Sequence, residues 1–210
     1  MIGGELSSCF ACTKPIQFRA AETRLLVCHS CGSVNFRKPE WKESNLIHCA
    51  AIPPDRSPYG LGQYLQKEDK TTWEIIGRIR YQLQEGYWNQ WVLCNQTGEV
   101  NHLLESAGYM AWCESKALGK YEVLSGLKLY AEISLPGGQK VQVDSLDKNM
   151  FIDLEGELDS VHLRSTQFFQ ANLSNNYGDF AMVFIYSSVN QEMFIGKYGD
   201  FNTFKPIAKP

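Results

Sequence analysis

Apolar and polar side chains alternate with a period of two through most of the chain after residue 60, as is typical of β-strands. The segment "TWEIIGRIRYQL" places one apolar set on one face and charged side chains on the other: Trp73, Ile75, Gly77, Ile79 and Tyr81 against Glu74, Arg78 and Arg80. This pattern predicts a half-buried strand. The next run, "YWNQWVLC", is apolar on both faces, which predicts a strand at the centre of a sheet.

Short polar turns separate these runs and predict hairpins. The turns read "NQTG" at residues 95–98, "PGG" at residues 136–138 and "SSVN" at residues 187–190. Helical periodicity does not extend beyond about two turns anywhere. We therefore predict a mainly β protein with an antiparallel, barrel-like sheet region after an N-terminal ribbon. The strand and turn order of residues 87–112 resembles that of residues 177–204, which suggests two related halves.

Four cysteines near the N-terminus have the spacing Cys-x2-Cys-x15-Cys-x2-Cys: Cys9, Cys12, Cys28 and Cys31. That spacing is typical of a four-cysteine zinc site, because a two-residue gap lets one tight turn direct two sulfurs at the same metal. Backbone N–H groups of such a turn can also donate to the thiolates. The intervening "IQFRA" and "TRLLVC" predict two short strands around a turn at residues 20–23. We predict a zinc ribbon that holds one structural Zn²⁺.

Rival interpretations of the cysteines fit less well. A thioredoxin-like redox pair needs a βαβ context and no second pair, and disulfides conflict with the absence of a secretory signal. His29 lies inside the second Cys-x-x-Cys and could replace a ligand, but four thiolates already fill a tetrahedron. Gly32 follows the second pair and suits a left-handed backbone, whereas Thr13 occupies the same place after the first.

The pattern divides the chain into four parts. Residues 1–38 form the ribbon, residues 39–60 a proline-rich ordered linker, residues 61–126 a first β-rich module and residues 127–210 a second, which can pack with the first as one domain. Apolar residues of the linker are expected to pack on the following domain: Leu46, Ile47, Ala50, Ala51 and Ile52.

Composition and charge narrow the function. The chain has 210 residues, 44% of them hydrophobic and 20% charged, as in an ordinary globular protein. A formal net charge of −3 disfavours a nucleic-acid-binding protein, although the ribbon carries several basic residues. No signal peptide or membrane-spanning run is visible, and an odd number of cysteines, seven, fits a reducing compartment. We expect a soluble cytoplasmic protein.

Three segments in order carry a family resemblance: "CFAC" with "CHSCGS", then "IPPDRSPYGLG", then "WEIIGRIRYQLQEGYWNQWVL". Together they resemble the bacterial family catalogued as domain of unknown function 4178, with its N-terminal zinc ribbon. The chain departs from that pattern at Gln90 and at residues 101–103. The resemblance implies no known activity. Its gene neighbourhoods imply an adaptor linked to envelope stress, peripheral to the inner membrane.

Catalytic motifs are absent from the sequence: there is no nucleophile elbow, phosphate-binding loop, dinucleotide fingerprint or metalloprotease helix. His102 and His162 are isolated in strand-like runs, and Cys94 and Cys113 are expected to be inert core thiols. We therefore predict no enzyme activity.

Two sets of residues are candidates for binding. The first is an aromatic group that could form a protein-binding surface: Tyr87, Trp88, Trp91, Tyr109 and Trp112. The second alternates along one strand and could bind a cation or polyamine, or could equally be a solvated outer face: Asp153, Glu155, Glu157 and Asp159. The leading hypothesis is a non-enzymatic adaptor that binds protein partners, and the alternative is a protein that binds a polyamine, another cation or nucleic acid.

Overall fold

The computed structural model describes residues 5–38, 49, 51–116, 127–135, 137–159, 168–187 and 190–209. These residues form strands and turns without any helix, which confirms the predicted mainly β, antiparallel fold. Fourteen strands lie in the described part: β1 (Glu5–Ser8), β2 (Pro15–Phe18), β3 (Leu25–Val27), β4 (Val34–Phe36), β5 (Tyr64–Gln66), β6 (Thr72–Gln82), β7 (Tyr87–Asn95), β8 (Val100–Ser106), β9 (Tyr109–Lys116), β10 (Glu132–Ser134), β11 (Lys140–Leu158), β12 (Phe168–Ser174), β13 (Asp179–Ser187) and β14 (Asn190–Gly199). No helix in this part is long and apolar enough to cross a membrane.

Twelve of the strands form one large antiparallel sheet in the order β4-β3-β11-β12-β13-β14-β9-β8-β7-β6-β5, with β10 attached to β11. Strand β11 pairs with β12 through residues 142–149 and with β6 through residues 150–156. The sheet therefore curls round a core. It does not close into a regular barrel.

Strands from the two predicted modules belong to this same sheet, since β6 pairs with β11 and β9 pairs with β14. The predicted boundary at residue 126 lies outside the described residues. The domain boundaries and the relation between the two halves therefore stay predictions.

The inner face of the curled sheet is filled with aromatic rings. Tyr81 stacks on Trp88 with ring centroids 4.1 Å apart, and Phe184 lies 5.5 Å from Tyr81 and 5.3 Å from Phe194. All four side chains are at most 2% exposed. Burying one such ring contributes about 1.5–3 kcal/mol, so this cluster is a principal source of the stability of the sheet.

Strands β6 and β11 approach each other closely where Gly77 faces Gly156. A Cβ at Gly77 would overlap the carbonyl oxygen of Glu157, and one at Gly156 would overlap that of Ile76. Gly156 also has φ +72°, a left-handed conformation that other residues adopt at a cost. Gly77, the glycine of the "IGR" segment, therefore lies where the backbones of β6 and β11 meet.

A second layer covers the outer face of β6–β9. Tyr59 and Leu65, which follow the proline-rich segment, pack there with Trp91, Trp112 and the C-terminal Phe204. Of the apolar linker residues expected to pack, Ala51 is exposed and Ile52 is half-buried, and residues 46, 47 and 50 lie outside the described part.

The linker is held by polar contacts as well. Asp55 forms ion pairs with Arg78 and Arg80, and all three side chains are at most 8% exposed. Asn89 accepts hydrogen bonds from both guanidinium groups, and the Pro53 carbonyl accepts one from Arg80 at 3.3 Å. Asp55 is thus the carboxylate that both buried arginines share, and Glu155 lies 3.6 Å from Arg78 as well.

We expect Asp55→Asn to lower the free energy of unfolding by about 3–5 kcal/mol, because it removes the carboxylate that two buried guanidinium groups share and leaves Arg78 with the longer contact to Glu155. Burial raises the pKa of Asp55, but the Ser57 N–H and the two arginines outweigh burial and hold that pKa below its ordinary value of 3.8. Its contribution is thus complete above pH 3.8 and is lost as the pH falls through the lower folded-state pKa. Urea unfolding at neutral and acid pH measures both effects.

Glu85→Gln, at an exposed carboxylate, is the matched control and should leave stability within about 0.5 kcal/mol. Equal stability of Asp55→Asn and Glu85→Gln would contradict the role of Asp55 as the stabilising counter-charge of the buried arginines.

Candidate metal centre

The four predicted cysteine ligands lie together at the tip of the ribbon. Their Sγ atoms are all within 4.8 Å of one another, and the Cys9–Cys31 and Cys12–Cys28 sulfurs are each 3.7 Å apart. None of the four is in a disulfide. In the part of the chain that the structure describes, this is the one group of three or more His, Cys, Asp or Glu side chains positioned to hold a metal ion.

Both Cys-x-x-Cys turns have the same backbone geometry. In the first, Thr13 N–H donates to the Cys9 carbonyl at 2.9 Å; in the second, Gly32 N–H donates to the Cys28 carbonyl at 2.8 Å. Thr13 has φ +60° and Gly32 has φ +71°, so both turns end in a left-handed residue. The Thr13 hydroxyl donates to the Cys12 carbonyl at 2.7 Å, which supports this conformation locally.

Each turn closes its own hairpin. The first joins β1 to β2 and the second joins β3 to β4. The sequence correctly predicted strands near residues 15–18 and 25–27, but a hairpin between those two strands is not found. Strand β3 pairs instead with β4 and with Glu157–Leu158 of β11, because the connection at residues 19–24 is held by the sheet.

Hydrogen bonds favour the thiolate at Cys9 and Cys31. At Cys12 the Lys14 N–H lowers the pKa, but burial and the neighbouring sulfurs outweigh it and raise that pKa to about 11. Burial raises the pKa of Cys9, but N–H groups of Cys12 and Ala11 outweigh it and bring that pKa to about 6. The Ser33 hydroxyl, 3.3 Å from the Cys31 sulfur, lowers the pKa of Cys31. Metal ligands bind as thiolates, so these contacts prepare the site.

A buried amide fixes the two turns relative to each other. Asn35 accepts a hydrogen bond from Phe10 N–H at 3.0 Å and donates to the Ser33 carbonyl at 2.9 Å. Beneath the sulfurs, Ile16, Phe18 and Leu26 form a small core with the buried Cys9 and Cys28. His29 is exposed and is not part of the sulfur cluster.

A carboxylate from the large sheet holds the connection between the two hairpins. Glu157, 2% exposed, accepts hydrogen bonds from Arg19 N–H at 2.8 Å, from Ala20 N–H at 3.0 Å and from the Thr23 hydroxyl. Arg37 lies 3.7 Å from it. Burial raises the pKa of Glu157, and these donors oppose that shift. The ribbon is thereby anchored on β11.

The four acidic residues of β11 do not form one uniform face. A register shift between residues 151 and 153 and the left-handed Gly156 interrupt the alternation. Glu155 lies 3.6 Å from Arg78, Asp159 lies 3.1 Å from His102, and Asp153 stands opposite Arg80. Glu157 is buried, so the expected solvated outer face does not extend to it. A cation site on these residues stays a prediction.

The predicted aromatic group is divided by the fold. Trp88 lies in the inner core, and Trp91 and Trp112 lie beneath the outer layer, all at most 6% exposed. Tyr87 and Tyr109 are 42% and 73% exposed. The three tryptophans therefore do not contribute to an exposed surface, whereas the two tyrosines do.

The remaining candidates lie in the core. His102 is fully buried, and its Nδ1 lies 3.1 Å from the amide nitrogen of Gln90. Burial lowers the pKa of His102, but the nearby Asp159 carboxylate outweighs burial and raises that pKa. Burial raises the pKa of Cys94 to about 11, and Cys113 is 0% exposed, as expected of core thiols. His162 lies outside the described residues.

Sequence reasoning missed the buried roles of Asp55 and Glu157, because each depends on contacts with residues distant in the chain.

No family model, no curated protein and no solved structure matches this chain. The family resemblance therefore stays a prediction.

We expect Thr13→Gly to raise the free energy of unfolding of the metal-loaded protein by about 0.5–1 kcal/mol. Glycine relieves the left-handed strain of a β-branched residue, and the added freedom of the unfolded chain offsets part of that gain. Gly32→Thr, the matched variant of the second turn, should lower the free energy of unfolding. Denaturant unfolding at saturating metal measures both, and a loss of stability in Thr13→Gly would contradict the equivalence of the two turns.

Proposed function

We propose that this chain is a non-enzymatic binding protein with a structural zinc ribbon at one end of its sheet and a surface for a protein partner at the other. The observation that carries this proposal is a set of four exposed tyrosines at the end of the sheet away from the ribbon. We call this set the tyrosine rim: Tyr87, Tyr109, Tyr177 and Tyr198.

Zinc is the metal that the sulfur geometry supports best. Tetrahedral Zn²⁺ with bonds of about 2.3 Å separates its sulfur ligands by about 3.8 Å. The two short Sγ–Sγ distances here are 3.7 Å. Four thiolates leave no open coordination position, so the metal stabilises the ribbon and takes no part in chemistry.

The tyrosine rim lies on one end of the sheet, which we call the distal end and which carries the turns at residues 83–86, 107–108 and 175–178. Tyr177 is 88% exposed and Tyr109 73%. Tyr198 N–H donates to the Gly178 carbonyl at 3.0 Å, and Tyr198 pairs with Ala111, two residues from Tyr109. Tyrosines are enriched at protein interfaces because an apolar ring carries a polar hydroxyl.

The partner that fits this end has a basic surface. Exposed or half-exposed carboxylates accompany the rim: Glu85, Asp144, Asp147, Asp179 and Asp200. Among the described basic residues near this end, Lys140 already pairs with Glu132 at 2.8 Å, and Lys197 is exposed. Complementary charge speeds association and sets orientation. The family resemblance suggests that this partner belongs to an envelope-stress system.

The zinc assignment is tested by metal analysis of the purified full chain. We expect about one Zn²⁺ per chain, and a visible Co²⁺–thiolate spectrum typical of tetrahedral sites after exchange. The double variant Cys12→Ser, Cys31→Ser should lose the metal and the ribbon fold, because zinc contributes about 10–16 kcal/mol to such modules. Cys94→Ser and Cys113→Ser, at core thiols outside the cluster, should retain the metal. Metal-free wild-type protein, or zinc retained by the double variant, would contradict the assignment.

The docking surface is tested with the tagged full chain expressed in its own host. A partner recovered in stoichiometric amount is identified, purified and titrated against the chain in solution. Tyr109→Ser with Tyr177→Ser should weaken that binding at least about tenfold, since truncated interface tyrosines commonly cost this much. Added salt should weaken it further.

The matched control removes two exposed aromatic side chains elsewhere, Tyr130→Ser with Phe169→Ser, which are 70% and 59% exposed. The control should bind as wild type does. If no partner is recovered, or if both double variants bind equally well, the tyrosine rim is not the docking surface.

A further inference from the structure

A one-way chain of hydrogen bonds crosses the inner face of the sheet and ends on a carboxylate. Each link donates to the next side chain: Trp88 Nε1 to Asn149 at 3.2 Å, Asn149 to Gln170 at 2.9 Å, Gln170 to Asn172 at 2.8 Å, Asn172 to Ser145 at 2.9 Å, and Ser145 to Asp147 Oδ2 at 2.6 Å. Asn149 and Gln170 are 0% and 3% exposed.

The direction of this chain places a hydroxyl donor on the Asp147 carboxylate. Aligned hydrogen bonds polarise one another, and a donor to an ionised carboxylate makes a stronger bond than a donor to a neutral group. Among the described residues, no lysine, arginine or histidine forms an ion pair with Asp147. The carboxylate is therefore oriented by neutral donors and keeps its charge for a group outside the chain.

Asp147 lines a cavity of about 200 Å³ at the distal end of the sheet. Gln170 and Asn172 line it beside Asp147, and the inner-core side chains Trp88, Phe180 and Met182 form apolar walls. No lysine, arginine or histidine is among the described residues that line it. Concave sites with apolar walls and a few oriented polar groups are typical of small-ligand pockets, which often lie in the mouths of curled sheets.

We propose that this cavity binds a small organic cation, with its ammonium group against Asp147 and its apolar body against Trp88 and Phe180. Aromatic rings attract such cations through their negative faces, and the carboxylate supplies the counter-charge. A bare divalent metal fits less well. Ca²⁺ and Mg²⁺ need a shell made of oxygen ligands, whereas this lining combines the carboxylates of Asp147 and Glu105 with large apolar walls.

This site is tested separately from the docking surface, although the rim residues Tyr109 and Tyr198 also line the cavity. The cavity lies inside the sheet and binds its ligand in the isolated chain, whereas the tyrosine rim requires a partner protein. Failure of either proposal is therefore seen independently of the other.

Isothermal titration calorimetry of the purified chain tests the site with n-butylammonium and tetramethylammonium as probes and n-butanol as the neutral counterpart. Both cations should bind with one site per chain, and n-butanol should bind at least about tenfold more weakly, since it lacks the charge that Asp147 recognises.

Asp147→Asn should reduce the affinity for both cations at least about tenfold. Asp144→Asn is the matched control, because it removes the same charge from an exposed residue of the same strand. It should bind as wild type does. Asn172→Leu interrupts the donor chain one link before Ser145 and should reduce affinity less than Asp147→Asn does. Tyr177→Ser, at a rim tyrosine that does not line the cavity, should leave cation binding unchanged.

Thermal unfolding of each variant shows whether the fold persists, and tetramethylammonium should raise the melting temperature of wild type but not of Asp147→Asn. Absence of cation binding by wild type, equal affinity for n-butanol, or equal losses in Asp147→Asn and Asp144→Asn would each overturn the proposal.

Discussion

The buried carboxylate of Glu157 joins the ribbon to the sheet, and the arrangement of both depends on it. It receives two backbone N–H groups and a hydroxyl from residues 19–23, the connection between the two cysteine hairpins. A carboxylate buried without such donors is costly, so the end of β11 is stable only with that connection in place. The same connection brings the two cysteine pairs to one point. Metal site and sheet are thus parts of one structure.

The cysteine cluster could be predicted from sequence because its information is local. Two-residue gaps define each turn, and Gly32 marks the end of one. The pairing of the ribbon strands could not be predicted in the same way. Two adjacent short strands usually pair, and here they do not, because Arg19, Ala20 and Thr23 bind a residue more than 130 positions away. A single sequence carries no signal for that contact.

Strand alternation predicted the fold class and failed to predict which faces are covered. Trp91 and Trp112 are on the outer face of the sheet, as a surface group would be, but the segment around Tyr59 and the C-terminal Phe204 lie over them. Along β11, alternation is interrupted by Gly156, and Glu157 turns into the interior. The donor chain to Asp147 joins three strands. In the sequence its residues are ordinary polar positions, and only the register of those strands brings them within hydrogen-bond distance of one another.

Strand β11 connects the cysteine cluster to the cavity at the distal end of the sheet. Asp147 and Glu157 are ten residues apart on this strand, at most about 33 Å at 3.3 Å per residue. None of the four cysteines lines the cavity at the distal end. The cysteine cluster and that cavity are connected through β11, whose last residues pair with the ribbon and whose earlier residues pair with β12. Because Gln170 and Asn172 lie on β12, the register that the ribbon stabilises is also the register that aligns the donors toward Asp147.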